Sequence, residues 1–174
     1  PYHLWDEVKT QLTIAGKIQK EWKGSSIDSR IGLVQSAMEY FKSNIDTISQ
    51  DITLQMGKPI SQSINEVKGT IHRSEICCSL AADALKDISF PKKEGFQRFI
   101  HREPLGVVFD IAAWNYPLLI AVNVVVPAIL AGNAVTIKHS SLTPLCAIAF
   151  EDAFKQAGAP DGLVTALIMD HNTT

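Results

Sequence analysis

The segment that most constrains the fold is the run 117–137, which contains no charged side chain and is long enough to suggest a membrane span. Asn123, Pro127 and the pair Gly132-Asn133 interrupt this run. A buried helix, a turn and a buried strand explain these interruptions better than one lipid-facing helix does. We therefore predict that the run forms the centre of a folded core, and that the chain has no membrane partner.

The composition is that of a globular protein and not of a disordered chain. Hydrophobic residues make up 46% of the 174 residues and charged residues 20%, with a formal net charge of −2. Lys and Arg are not clustered, so the sequence lacks the basic footprint that nucleic-acid binding requires. A chain of this length can form one good-sized core or part of a larger molecule.

The cysteines indicate a reducing compartment. Cys77 and Cys78 are adjacent and Cys146 is remote, which predicts neither a disulfide framework nor a Cys-x-x-Cys metal pair. We therefore expect a cytoplasmic protein. Residues 1–3 show no basic region followed by an apolar run, so no signal peptide is predicted. Because Met is missing from the first position, we expect the chain to begin inside a longer protein.

Residues 1–90 are predicted to be helical, because their apolar side chains recur at steps of three and four. The polar run 23–26 should end the first helix, and Asp28 or Ser29 should cap the second. A long helix is predicted at 61–86. Its inner side is expected to carry Ile64, Val67, Ile71, Leu80 and Ala84.

The pattern changes after residue 90, where short apolar runs with β-branched residues alternate with helical runs. The predicted strands are 96–101, 105–112, 134–138 and 163–169, and the predicted helices are 117–130 and 143–156. Thr143 is expected to cap the last helix, with Pro144 at its first position. The predicted fold class is therefore α/β, with N-terminal helices followed by part of a Rossmann-like parallel sheet.

Ligands of such folds bind at the carboxyl ends of the strands. In this chain those ends carry Trp114-Asn115, Lys138 and Asp170. The first strand-to-helix turn, 112–117, contains no glycine, so the Gly-x-Gly-x-x-Gly phosphate cradle is absent from it. A nucleotide at this edge must be held in another way, or is not bound at all.

Several motifs occur in order along nearly the whole chain. They are Met56-Gly57-Lys58-Pro59 with Glu66, Glu103-Pro104-Leu105-Gly106-Val107-Val108, Trp114-Asn115-Tyr116-Pro117-Leu118, Pro127-Ala128-Ile129-Leu130-Ala131-Gly132-Asn133-Ala134-Val135, Lys138 with Ser140 and Thr143-Pro144, and Ala157-Gly158-Ala159-Pro160-Asp161-Gly162. Together they resemble the aldehyde dehydrogenase family. The resemblance implies an NAD(P)-dependent enzyme in which 1–90 is the N-terminal helical segment of the cofactor-binding domain. Residues 91–174 would be the first half of its Rossmann-like part, with some of the oligomerisation hairpin, and the catalytic domain would be absent.

The resemblance assigns a catalytic role to Asn115. This residue matches the asparagine whose side-chain amide stabilises the oxyanion formed when a thiol adds to the aldehyde. A donor aimed at developing negative charge is effective in a dry site. The alternative is that Asn115 only caps the helix that begins at Pro117.

The resemblance also implies a cofactor site. Lys138 matches the lysine that reaches the adenosine ribose of NAD(P), and the alternative is a solvated surface charge. Trp114 would line the same cleft, although it could equally be a core residue. The other implied cofactor-binding residues are Ile111, Ala112, Ala113, Ser140 and Ser141.

Two residues depart from the common family pattern. His139 stands where many members have Pro, and the Lys-His pairing resembles a bacterial subgroup that contains succinate-semialdehyde dehydrogenases. Ser141 stands where NAD-preferring members commonly have Glu, whose carboxylate would repel a 2′-phosphate. Because a neutral Ser removes that repulsion, we expect the cofactor to be NAD or NADP, with NADP accepted.

The family's cysteine nucleophile, glutamate base and Gly-rich turn have no counterpart in this sequence. Cys146 would lie near a helix start, which can lower a thiol pKa, but no matching sequence surrounds it. The histidines show no metal-ligand spacing, so no metal site is expected: His3, His72, His101, His139 and His171. We therefore expect the chain alone to be inactive towards the small-molecule aldehyde. The resemblance also implies that the whole enzyme forms a homodimer or homotetramer, with an oligomerisation hairpin that includes the region near 96–101.

The alternative function is a non-catalytic nucleotide-binding or assembly module that keeps the half-fold without the chemistry. An incomplete sheet should expose apolar edges and aggregate, whereas an evolved module should be soluble and fold cooperatively. The run 134–137 is typical of a strand that needs neighbours on both sides. This favours part of an enzyme over the module.

Overall fold

The computed structural model describes residues 2–170 and 172–174, which form six helices and five strands. In chain order the elements are α1 Trp5–Trp22, α2 Ile27–Ser43, α3 Ile45–Met56, α4 Ile60–Leu85, β1 Ile88–Ser89, β2 Phe99–Ile100, β3 Val107–Ala112, α5 Pro117–Leu130, β4 Ala134–His139, α6 Leu145–Gln156 and β5 Val164–Ala166. The predicted α/β class is confirmed. Helices precede a parallel sheet, and both halves contribute to one apolar core.

The parallel sheet has the order β3-β4-β5. Its central strand β4 is buried along its whole length, because β3 and β5 flank it and helices contact it. In a doubly wound fold, three consecutive strands in this order form the 3-2-1 half, and the next strand of the sheet would lie beside the first. Within the described residues β3 pairs only with β4, so its other edge is open.

The apolar run at the centre of the sequence divides as predicted into helix α5, a turn and strand β4. Pro117 occupies the first turn of α5, where its missing N–H is not needed. Gly132 adopts a φ of 89° in the turn, a left-handed conformation that suits glycine. None of the described helices is both long and apolar enough to span a membrane.

Side chains from α1 and α2 satisfy the C-terminal carbonyls of α5. The Trp22 indole donates to the carbonyl of Ile129 at 3.1 Å, and the Arg30 guanidinium donates to the carbonyl of Leu130 at 3.1 Å. The last carbonyls of a helix have no partner within it, and leaving them unbonded in a core is costly. These bonds therefore join the N-terminal helices to the buried helix of the sheet half.

Two details of the helical half differ from prediction. Helix α2 is capped by Ser26, whose Oγ accepts the N–H of Ser29 at 3.1 Å, and not by Asp28 or Ser29. On α4, Leu80 is 58% exposed and Ala84 is also exposed.

The buried face of α4 is rich in small polar residues, which hydrophobic periodicity does not detect. Ser63, Thr70 and Ser74 are buried on this face, together with Cys78 and Ala81. The hydroxyls of Thr70 and Ser74 donate to carbonyls four residues earlier in the same helix, so these two buried hydroxyls have partners. Small side chains allow the neighbouring helices to approach α4 closely.

The segment predicted as one strand at 96–101 is mostly irregular, and Phe96 only forms an isolated bridge with Lys93. Only Phe99–Ile100 forms a strand, and it pairs antiparallel with Ile88–Ser89. The last strand is also shorter than predicted, since Val164–Ala166 covers only part of 163–169. Both strands lie at the margins of the fold, where few neighbours extend the pairing.

The turn at Gly132 provides a test of the bonds that Trp22 of α1 and Arg30 of α2 make to the end of α5, which we call the α1–α2 anchor. A Cβ at Gly132 would lie 2.8 Å from the Arg30 guanidinium, which is held by Ser25, Lys23 and Leu130. Gly132→Ala should therefore destabilise the protein by about 1 to 2 kcal/mol more than the left-handed backbone alone costs.

The matched control is Gly158→Ala. Gly158 has nearly the same φ, 88°, but nothing lies within 4 Å of an added Cβ. Urea denaturation of both variants measures the difference. Equal losses of stability would contradict the proposed anchor.

Candidate functional site

The carboxyl ends of β3 and β4 bring the predicted cofactor residues to one edge. Ile111 is in register with Lys138, and Ala112 is in register with His139. The backbone N–H of Ser140 then donates to the carbonyl of Ala112 at 2.9 Å, which joins the two strand ends. In-register residues of parallel strands project to the same face, so Ile111 and Lys138 share one face.

These residues differ in their exposure. Ile111 is 61% exposed, and Ala113 and Trp114 are exposed beside it, whereas Lys138 is only 3% exposed. Burial does not fit a solvated surface charge, and the exposure of Trp114 does not fit a core residue. The edge therefore presents an apolar surface with one largely buried cation beside it.

The turn 140–143 follows β4 directly. The Thr143 N–H donates to the Ser140 carbonyl at 3.0 Å, and the Leu142 N–H donates to Ser140 Oγ at 3.3 Å. Ser141 is exposed within this turn. Because 138–143 contains no Asp or Glu, no carboxylate from this turn would oppose a phosphate.

His139 is buried and connects the end of β4 to the start of α5. Its Nε2 lies 2.9 Å from the Pro117 carbonyl, and its Nδ1 lies 2.9 Å from Thr143 Oγ1. Burial lowers the pKa of His139, which favours the neutral ring. Since a carbonyl only accepts, Nε2 must carry the proton, and the Thr143 hydroxyl must donate to Nδ1. Both ring nitrogens are therefore used within the fold.

The predicted cap of α6 is wrong, because the Thr143 hydroxyl binds His139. The helix begins at Leu145, and Pro144 occupies the N-cap position without a side-chain bond. The Leu145 N–H instead donates to Gln55 Oε1 at 2.9 Å. The Gln55 side chain of α3 is therefore the acceptor, in place of the Thr143 hydroxyl that the sequence predicted. The first residue of α6 is thus tied to the helical half.

The Asn115 side chain does not cap α5. Tyr116 occupies the N-cap position, and no side chain of the turn accepts a helix N–H. Glu66 on α4 does so instead, since its Oε1 accepts the N–H of Leu118 at 3.0 Å and of Leu119 at 3.3 Å. The alternative interpretation of Asn115 as a cap is therefore not supported. Its exposed amide remains available to a ligand.

Lys58 completes a buried polar group at this helix start. Its Nζ donates to Glu66 Oε2 and, at 3.0 Å, to the Asn115 carbonyl. It also lies 4.4 Å from the centroid of the Tyr116 ring. Lys58 is 8% exposed and Glu66 is 3% exposed. The motif analysis named Lys58 and Glu66 together, but the sequence did not predict that the two side chains form an ion pair.

The Glu66 carboxylate also affects how a nucleotide can bind. The free N–H groups at a helix start are the usual anion site of dinucleotide-binding folds. Here two of them are already bonded to a carboxylate. A pyrophosphate would have to displace Glu66 to bind there, which agrees with the absence of the glycine cradle from this turn.

Comparison with known proteins decides the family. The model of the aldehyde dehydrogenase family matches residues 5–174. The chain belongs to the aldehyde dehydrogenase family. The motif resemblance and the structure agree with this assignment.

Relatives from several bacteria place the chain within that family. It is 31% identical to 3,6-anhydro-alpha-L-galactose dehydrogenase of Streptomyces coelicolor, covering 92% of this chain and 32% of the relative. It is 31% identical to succinate-semialdehyde dehydrogenase [NADP(+)] of Deinococcus radiodurans, covering 94% and 34%. The NADP-complexed structure of NADP-dependent glyceraldehyde-3-phosphate dehydrogenase from Bacillus halodurans superposes with a TM-score of 0.89 at 27% identity, covering 99% and 37%. The chain spans about a third of the length of the curated relatives it matches.

The cysteines of this family member are poorly suited to be nucleophiles. Burial raises the pKa of Cys146, and the carboxylates of Glu66 and Asp51 add to the effect. Burial also raises the pKa of Cys78 to about 11, and that of Cys77 rises for the same reason. A thiol kept protonated at neutral pH attacks aldehydes slowly.

Metal ligands are not clustered among residues 2–170 and 172–174 in any group of three or more His, Cys, Asp or Glu side chains. His171 lies outside the described residues. Asp170 was predicted at a strand end, but it follows β5 by several residues, and its carboxylate accepts the N–H of Thr173 at 2.8 Å.

Asp110 has a buried carboxyl group, and burial disfavours its charged form. It lies buried on β3, and its Oδ2 has no hydrogen-bond partner among the described residues. Burial raises the pKa of Asp110 to about 6. The folded state therefore binds the Asp110 proton more tightly than the unfolded chain does. As a result, the contribution of Asp110 to the free energy of unfolding falls as the pH rises from 4 to 7.

We expect the Asp110→Asn variant to gain stability relative to wild type as the pH rises. The difference in the free energy of unfolding should shift in its favour by about 2 kcal/mol between pH 4 and pH 7, because wild type is destabilised when buried Asp110 loses its proton and Asn does not titrate. Urea denaturation at both pH values measures this change. Asp161→Asn, at an exposed loop position, is the control and should show little change. A pH-independent effect of Asp110→Asn would contradict the account.

Proposed function

We propose that this chain is the part of an NAD(P)-dependent aldehyde dehydrogenase that provides the adenosine side of the cofactor site and the oxyanion donor. The whole enzyme oxidises an aldehyde to a carboxylic acid. Residues 1–90 form the helical segment of its cofactor-binding domain, and 91–174 form the first half of the Rossmann-like part. The observation that supports this best is the position of Asn115 beside the strand ends, with its amide released from capping by Glu66.

The cofactor residues of this proposal surround the ends of β3 and β4. Lys138 provides the cation for the adenosine ribose, and the Ser140 and Ser141 hydroxyls lie in the turn that follows. The cofactor, when bound, supplies the chemistry of accepting a hydride. The exposed apolar side chains of Ile111, Ala113 and Trp114 exclude water from one side of it, whereas the Ala112 side chain is buried and this residue would contribute through its backbone.

Asn115 provides the oxyanion donor. Its side chain makes no hydrogen bond with the described part of the chain, and its backbone is fixed through the carbonyl that accepts from Lys58. A preorganised amide donor stabilises the charge that develops on the aldehyde oxygen more than it stabilises the neutral aldehyde. The donor therefore acts on the transition state.

The first test is Asn115→Ala in the complete natural protein that carries these residues. We expect kcat with an aldehyde panel to fall by about 10²- to 10³-fold, while the dissociation constant for NAD(P) changes little. Asn123→Ala is the control, because Asn123 bonds only to the carbonyl of Leu119 in its own helix. An unchanged kcat in Asn115→Ala would contradict the proposed role.

NADP is proposed as an accepted cofactor. Ser141 is exposed in a turn without carboxylates, so a 2′-phosphate meets no opposing charge from this turn. The Deinococcus radiodurans relative is named as an NADP(+) enzyme, and the Bacillus halodurans structure contains NADP. Both are similar to this chain over nearly all of its length.

Isothermal titration tests this preference directly. NADP should bind no more than about tenfold more weakly than NAD, and Ser141→Glu should weaken NADP selectively because a carboxylate repels the added phosphate. Ser141→Gln is the control, because Gln has nearly the same size as Glu but no charge. It should change the affinities for NAD and NADP by the same factor. A wild-type protein that binds NADP more than tenfold more weakly than NAD would contradict the proposal.

The substrate proposal is a small-molecule aldehyde, with succinate semialdehyde as the first candidate. The support is the Lys138-His139 pairing and the 31% identical succinate-semialdehyde dehydrogenase. His139 itself is buried and bonded to Pro117 and Thr143, so it does not contact a substrate directly. A panel that pairs succinate semialdehyde with uncharged aldehydes of similar length decides the preference.

The chain alone is proposed to be inactive. Its three thiols are held protonated, and the open edge of β3 indicates a sheet that continues beyond these residues. That open edge also argues against a self-contained binding module, because exposed strand edges promote aggregation. Sustained NAD(P)H production by a sample containing only these 174 residues would contradict the proposal.

The whole protein is proposed to be a cytoplasmic homodimer or homotetramer. The three free cysteines favour a reducing compartment. The β1–β2 hairpin presents exposed apolar side chains that a second subunit could cover: Ile88, Phe90, Phe96, Phe99 and Ile100. Light scattering of the complete protein measures the oligomeric state.

A further inference from the structure

The turn 113–116 has few interactions of its own. It is exposed and irregular between β3 and α5, and its side chains do not cap the helix that follows. A donor carried on such a turn needs support from elsewhere to keep its position, because a misplacement of about 1 Å can cost 10²-fold in rate. The structure provides that support from the helical half of the chain.

Lys58 holds one side of the turn. Its ammonium donates to the backbone carbonyl of Asn115 itself, at 3.0 Å, and lies 4.4 Å from the centroid of the neighbouring Tyr116 ring. The lysine lies in the short connection between α3 and α4, where it is 8% exposed. A buried cation at this position fixes the peptide group that carries the Asn115 side chain.

Glu66 holds the other side. One carboxylate oxygen pairs with Lys58, and the other accepts the N–H groups of Leu118 and Leu119. The same carboxylate thus compensates the buried ammonium and fixes the first turn of α5. The segment 115–118 is therefore bonded at both of its ends, since Lys58 donates to the Asn115 carbonyl and Glu66 accepts the N–H of Leu118 three residues later.

We propose that Lys58 and Glu66 are positioning residues for the oxyanion donor, acting through the backbone of the turn 113–116 on Asn115. The inference rests on the proposed function, because it assigns this pair a role in the same reaction. Neither side chain touches the cofactor or the aldehyde in this account. The pair therefore affects the transition state and not the affinity for the cofactor.

The test begins with Glu66→Gln in the complete natural protein. The variant keeps an oxygen acceptor for the α5 amides but leaves the Lys58 ammonium buried without its counter-charge. We expect kcat to fall at least about tenfold, while the dissociation constant for NAD(P) stays within about twofold. Glu151→Gln is the matched control, because Glu151 is a half-buried carboxylate that also accepts a backbone N–H, from Ala166, away from the turn.

A double variant separates positioning from stability. Lys58→Met with Glu66→Gln removes both charges, so the thermal stability lost in Glu66→Gln should largely return. If the pair positions Asn115, kcat of the double variant stays low, because the carbonyl of Asn115 has lost its anchor. If kcat recovers together with stability, the pair is only structural and the inference is overturned. The inference is also overturned if Glu66→Gln retains kcat within twofold of Glu151→Gln.

Hydrogen exchange gives a measure that does not depend on activity. Amides of the segment 115–119 should exchange faster in the double variant than in wild type. Their exchange rates should be unchanged in Glu151→Gln. Unchanged exchange in the double variant would overturn the inference even if kcat fell. If the wild-type protein oxidises no aldehyde while exchange responds as expected, the proposed function fails and the contact between the pair and the turn stands.

Discussion

Of the two helices that follow β3 and β4, α5 begins at Pro117 and α6 begins directly after Pro144, and neither has a side-chain cap from its own turn. Other helices provide the acceptors: Glu66 of α4 accepts the first amides of α5, and Gln55 of α3 accepts the first amide of α6. At the opposite end of α5, side chains of α1 and α2 bond to its last carbonyls. Because α5 is almost wholly apolar and buried, its ends need partners from the protein. The N-terminal helices are therefore required for the sheet half to fold as described.

This arrangement also determines the chemistry available at the strand ends. A helix start whose amides are bonded to a carboxylate is a poor anion site, so a dinucleotide would depend on Lys138 and the turn after β4 instead. The same carboxylate relieves Asn115 of the capping role and leaves its amide available. One buried ion pair, Lys58 with Glu66, thus connects the helical half, the start of α5 and the proposed oxyanion donor.

Much of this fold could be predicted from local pattern, because the buried elements have strong sequence signals. The bounds 117–130 were predicted for α5 as they are observed, and β4 differs by one residue at its end. The errors occur where tertiary contacts replace local chemistry. Thr143 was expected to cap α6 but donates to His139, and Leu80 was expected inside but is exposed, since small polar residues form the packed face of α4. The partner of Glu66 lies in a helix 52 residues further along the chain, a distance that no local pattern reveals.

We propose that Glu66 closes the start of α5 to the cofactor and that the dinucleotide binds at the strand ends. A crystal structure of the complete protein with NADP would distinguish the two positions. We expect the adenosine ribose or its phosphate to lie within hydrogen-bond distance of Lys138, while Glu66 still accepts the amides of Leu118 and Leu119. A pyrophosphate bonded to those two amides, with Glu66 displaced, would contradict it.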